Sequence, residues 1–198
     1  MVRSQSPLRR LGQAALVAGA LAGIAAPFLA APPAHAEKAV APEKNPPGDI
    51  PDSQVFISYA NPAGYALKVP EGWARSEAGA DVRFVDKLDA VSVTLSDQAL
   101  PLSQSLAKTV FVPELEKAGR AVKIDKVSEV TLPAGHAIRI DYSANSDPNP
   151  VTSKQVRLEA NRYLISHAGK LATLDLSAPY GADNVDQWRL MAQSFRWK

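Results

Sequence analysis

Arg139 and Asp141, Arg157 and Glu159, and Thr173 and Asp175 occupy alternate positions in three β-prone stretches near the C-terminus, the spacing that puts side chains on one strand face. Such rows could form a polar floor for an anionic or zwitterionic ligand. They equally describe opposite charges paired across neighbouring strands, each pair contributing at most about 1 kcal/mol. The second reading is preferred, because an uncovered sheet face needs charge of both signs to stay in solution. Past residue 36, His136 and His167 are the only histidines; both fall in or beside turns, with no HExxH and no Gly-x-Ser-x-Gly elbow, which leaves neither zinc chemistry nor a Ser-His hydrolase with a recognisable pattern. Gly169-Lys170 lacks the upstream glycine and the following Ser or Thr of a phosphate loop. Asp175, Asp183 and Asp186 could be offered to a cation, but the ligands of a calcium loop are missing, and Asp183 reads better as the N-cap of a helix with Asp186 in its first turn. No residue is assigned to a metal, a cofactor or catalysis.

The elements that would position these residues follow from periodicity. In Leu171–Trp197, Ala172, Leu174 and Leu176 alternate on one strand face, and Val185, Trp188, Ala192 and Phe195 form one stripe of a following helix. A shallow apolar cleft between that helix and the sheet, with Tyr180 in the preceding loop and Trp188 and Trp197 flanking, is the place a small ligand would enter. Tyr180, Asp183, Trp188, Arg139 and Arg157 are therefore the candidate ligand or partner surface. Upstream, Gln54–Tyr59 and Tyr65–Val69 read as a hairpin, and Val82–Val85 and Val91–Leu95 as short strands. Leu102–Gly119 reads as two short helices, since Pro113 should break a continuous one. Val122–Leu132 is a strand with a parity change near Asp125-Lys126, His136–Ser143 another, and Val151–Ile165 a bent one that needs a bulge near Asn161 to keep its apolar residues on one face. The pattern gives seven or eight antiparallel strands, with helices once in the middle and once at the end, hence α+β.

Arg3, Arg9 and Arg10, an uncharged Ala- and Leu-rich run from Leu11 to Ala31, and Ala34-His35-Ala36 have the order of a secretory signal peptide cleaved after Ala36. Retention of that segment as a membrane anchor is the alternative. The Arg pair allows twin-arginine export. Residues 37–53, with Pro42, Pro46, Pro47 and Pro51, read as a disordered Pro-rich linker, and 54–198 as one domain. The 198-residue chain has no cysteine, which excludes disulfides, thiolate metal sites and a lipobox anchor. Processing removes three of the 22 Lys and Arg and none of the 20 Asp and Glu, leaving 19 against 20, about −1. A near-neutral surface without a basic cluster argues against nucleic acid as partner.

Gly64-Tyr65 before a strand ending Val69-Pro70-Glu71-Gly72-Trp73, the Tyr163 strand with the Gly169-Lys170 hairpin, and the ending Leu174–Pro179, Asp183, Trp188 and Ser194-Phe195 resemble the PsbP-like superfamily. The resemblance spans about Gln54 to Trp197 and is closest in type to LpqN-like envelope lipoproteins, from which the missing cysteine departs. It implies an α/β/α sandwich around an antiparallel sheet. It also implies a non-catalytic domain that docks to an envelope or extracellular protein; a carrier of a lipid or small amphipathic ligand between the C-terminal helix and the sheet is the alternative. It supplies no catalytic residue.

Overall fold

The longest alternating stretches become the longest strands. The computed structural model describes residues 37–98 and 100–198; the expected signal segment, residues 1–36, lies outside them. Seven strands form one antiparallel sheet: β3 (Ala74–Ala78), β4 (Asp81–Asp86), β5 (Asp89–Ser96), β6 (Lys123–Leu132), β7 (Gly135–Asn145), β8 (Arg157–His167) and β9 (Lys170–Pro179). Their spatial order is β3-β4-β5-β9-β8-β7-β6. A smaller sheet, in the order β1-β2-β10, joins the hairpin β1 (Phe56–Asn61) and β2 (Tyr65–Pro70) to a final two-residue strand, β10 (Arg196–Trp197). Strands number ten among the described residues, more than the pattern suggested. β3 is exposed at every position and has no alternation to read, and β10 is too short to show any.

Each face of the large sheet carries an apolar cluster. On one, Val91, Val93, Tyr163, Ile165, Leu174 and Leu176 pack with the small sheet and with α3 (Val185–Ser194). On the other, Ile138, Ile140, Leu164 and Leu171 pack under Ala107, Phe111 and Leu115 of a helical run. Two-sided burial removes the need for a bulge near Asn161: β8 runs in unbroken register against β7 and β9, and Tyr163, Leu164 and Ile165 are buried on alternate sides. The register shift between Ile124 and Lys126 is where parity placed it. Two-sidedness also corrects the single polar floor. Asp141 faces Asn161 across the β7–β8 ladder, whereas Asp175 lies opposite Arg162, whose parity puts both on the other face.

The middle helices are one run, not two. Ser103 caps α1 (Gln104–Leu106) by accepting from the Leu106 N–H at 3.1 Å; a π turn (Ala107–Phe111) then passes directly into α2 (Val112–Ala118). Pro113 has no N–H to give, and the wider turn, in which Val112 N–H reaches Ala107 O, carries the helix past it without a break.

Residues 37–53 are not a free linker. They lie along the domain as a strap held at two points. Asn145 donates to Glu37 Oε1 (3.0 Å) and to Lys38 O (2.8 Å) and accepts from Val40 N–H (3.0 Å), while Arg120 pairs with Glu37 at 3.0 Å. Further on, Asn184 accepts from Ile50 N–H (2.7 Å) and donates to Gly48 O (2.8 Å), and Gln187 donates to Ile50 O (3.1 Å). Ile50 is buried in the main core. At Gly48, φ is +125°, and a Cβ would stand 2.8 Å from Pro179 Cδ, so glycine serves both the backbone angle and the close approach.

Candidate functional site

The β9–α3 loop, Tyr180–Asn184, forms the rim of a cleft of about 580 Å³ between α3 and the β7–β8 surface. Hydrogen bonds to the rest of the fold set the loop's shape. Tyr180 N–H donates to Arg157 O at 2.8 Å, Gly181 N–H to Glu159 Oε1 at 2.9 Å, and Asp183 N–H to Asp49 Oδ1 of the strap at 2.8 Å. Asp183 is therefore not the helix cap: Asn184 occupies that position, and its side chain is spent on the strap rather than on the helix. Of the expected α3 stripe, Trp188, Ala192 and Phe195 are buried but Val185 is 63 % exposed at the cleft rim, and Met191 joins the buried side of the helix.

Four of the five candidate residues meet here. Tyr180, 41 % exposed, stands at the rim with Asp183, Trp188 forms an inner wall at 7 % exposure, and Arg139 lies on the floor. Arg157 does not reach the cleft. At 4 % exposure its guanidinium donates to Ala121 O (2.8 Å), Asn145 Oδ1 (3.1 Å) and Ser143 Oγ (2.7 Å), which makes it a clamp between strand ends and removes it from any docking surface. Trp197 is also elsewhere, stacked on His167 and edge-on to Phe195. Both His136 and His167 are exposed, and among the described residues no three His, Cys, Asp or Glu side chains converge to hold a metal ion.

The floor is a charge-ordered patch. Arg139 Nε donates to Asp141 Oδ1, Asn161 Nδ2 donates to the same oxygen at 2.9 Å, and the guanidinium lies 5.9 Å from the Tyr163 ring centroid. Burial pushes the Tyr163 phenol upward, so it stays protonated, and burial likewise raises the Glu159 carboxyl, opposed by the Gly181 hydrogen bond and aided by nearby Asp125. Asp125, the extra residue of the β6 bulge, completes the acidic side. Four carboxylates, Asp125, Asp141, Glu159 and Asp183, thus face two guanidiniums, Arg139 and Arg189. Arg139 is matched to Asp141, and Arg189 to Asp186. The sequence reading missed Asp125, Asn161, Tyr163, Val185 and Arg189; the parity change at Asp125 was the one signal that a side chain was being re-aimed there.

Fold and cleft together define an α+β domain with an acid-rich concave surface. The cyanobacterial PsbP of Synechocystis, solved in solution, superposes with a TM-score of 0.51 at 16% identity, over 76% of this chain and 98% of that one. The fold is PsbP-like. A Bacteroides thetaiotaomicron crystal structure superposes at 0.45, with 11% identity over 70% of this chain and 47% of that one. A Pseudomonas aeruginosa protein of unknown function, described as a putative regulator, does so at 0.43, with 14% identity over 70% and 94%. No family model matches the chain, and no curated protein matches it.

Proposed function

We propose that the protein is a secreted, LpqN-like, non-catalytic bacterial domain that binds a protein partner at the cell envelope or outside the cell, through the cleft between α3 and the β7–β8 surface. The observation that carries this reading is the cleft's lining: an acidic bias over an aromatic wall, with Tyr180 and Val185 exposed at the mouth. A Lys or Arg side chain of the partner finds Glu159 and Asp183 for its charge and the ring of Tyr180 for its stem. Apolar neighbours of that side chain cover Val185. The same carboxylates weigh against a lipid carrier, since an acyl chain would strip their water and return no hydrogen bond.

The test is photocrosslinking in intact cells, with a benzophenone side chain at Val185 and, for comparison, at Val151, which is exposed outside the cleft. A discrete product from residue 185 alone, lost on Asp183→Lys, is the expected result. Equal products from both positions, or indifference to the charge reversal, would overturn the reading.

A further inference from the structure

A second concavity, of about 490 Å³, opens on the other face of the large sheet, beside the end of α2. Its charge is reversed. Arg83, Lys87, Arg120 and Arg162 line it, with Asp147 as the one carboxylate in the lining. The fold brings these cations together from four places. Arg83 faces Ser92 across the β4–β5 ladder, and Arg162 lies opposite Ile140 on β8. Lys87 takes a left-handed φ of +53° in the β4–β5 turn, and Arg120 follows the Gly119 cap of α2.

Their existing partners leave donors unused. Asp175 holds Arg162 through Nε (2.8 Å) and Nη2 (2.9 Å), so Nη1 remains. Glu37 holds Arg120 through Nη2, while its Nε–H is buried without a partner. Arg83 makes no ion pair among the described residues. Tyr142, whose phenol burial keeps protonated, adds its ring to the wall, and Leu88, Leu115 and Leu158 supply apolar surface. Planar guanidiniums with free N–H groups beside apolar walls suit a carboxylate that carries a hydrocarbon body.

We infer that this concavity is a binding site for a small apolar-bodied carboxylate, seated against Arg83 with its body on Leu88 and Leu158. The site lies across the sheet from the acidic cleft and stands or falls independently of the partner reading.

The experiment is amide NMR of the protein from residue 37 onward, titrated with octanoate, octanamide or inorganic phosphate. Octanoate is expected to shift the amides of Arg83, Lys87, Leu88 and Arg120 saturably, octanamide and phosphate not to, and Arg83→Gln to weaken octanoate binding about tenfold or more, the loss of one charge-assisted hydrogen bond. Arg83 is the clean position, because it is exposed and holds no other side chain, whereas Arg162→Gln would also release Asp175. Three results would overturn the site: no saturable shift at these amides, equal binding of octanoate and octanamide or phosphate, or full affinity in Arg83→Gln with its spectrum otherwise native.

Discussion

Asp89 offers the sharpest test of how strap and sheet are joined. It opens β5 at 5 % exposure, its Oδ1 has no hydrogen-bond partner, and the strap crosses directly above it at Gly48. Burial, with Asp86 and then Asp49 adding repulsion and Lys87 opposing, raises its carboxyl from 3.8 to about 7. The neutral form is thus the one the folded state accepts. Below about pH 4 the group is protonated folded and unfolded, and it costs nothing. As pH rises from there the unfolded chain releases the proton while the folded chain keeps it, so stability falls until the folded group also ionises near pH 7, and is flat above. The interval between 3.8 and about 7 corresponds to a loss of about 4 kcal/mol as an order-of-magnitude ceiling. Asp89→Asn removes the titration and keeps the shape. Its buried amide carries a fixed cost at every pH, so the informative quantity is the pH dependence of the difference between the two proteins. Urea melts of both at half-unit steps from pH 4 to 8 should show the variant gaining on the wild type by about 2 to 4 kcal/mol across pH 4 to 7, then holding level. Glu159 titrates alike in both and cancels. A difference independent of pH would refute the reasoning, because Asp89 would then have found a partner or water in the folded state.

Trp188→Ala should cost about 3 to 5 kcal/mol in denaturant melts, since the side chain is largely buried between α3 and the sheet; a near-neutral result would mean that it serves the cleft alone. Gly48→Ala meets both a positive φ and Pro179, so a loss of about 1 to 3 kcal/mol is expected, together with faster proteolytic trimming of residues 37–50. On the proposed export with cleavage after Ala36, N-terminal sequencing of protein recovered from the culture medium should begin at Glu37; a start at Met1 would rule out processing.

The α+β class and the order β8, β9, α3 were legible because Leu174, Leu176, Trp188 and Ala192 repeat at periods that only a strand and then a helix satisfy. The strap was not. Its prolines and charges have linker composition, and what holds it are the side chains of Asn145, Asn184 and Gln187, more than 100 residues away in sequence, whose amides announce no partner in advance. Arg157 failed as a surface residue for a related reason: parity assigns a face but not whether the strand end is covered, and here Ala121 and Asn145 close over it. Asn161 needed no bulge once each sheet face proved to carry an apolar cluster. The cleft was half legible. Tyr180, Asp183, Trp188 and Arg139 meet as their elements suggested, while Asp125 and Val185 join them only through a bulge and a helix that begins one residue later than expected.

The strap also gives the domain a direction of mechanical weakness. A load applied upstream of Glu37 acts first on the contacts of Glu37 with Arg120, Gln155 and Asn145 and on the Asn145 bonds to Lys38 and Val40, and next on those from Asn184 and Gln187. These contacts are made through the side chains of Arg120, Asn145, Gln155, Asn184 and Gln187, and no strap residue belongs to either sheet, so releasing them breaks no strand ladder. Because Asn184 and Asp183 N–H are among the strap's partners, peeling it past Ile50 removes their support of the cleft rim, while Tyr180 and Gly181 remain held by Arg157 and Glu159. Optical-trap pulling from residue 37 is expected to show release of the strap as an extension separate from unfolding of the large sheet; a single all-or-none extension would refute this order.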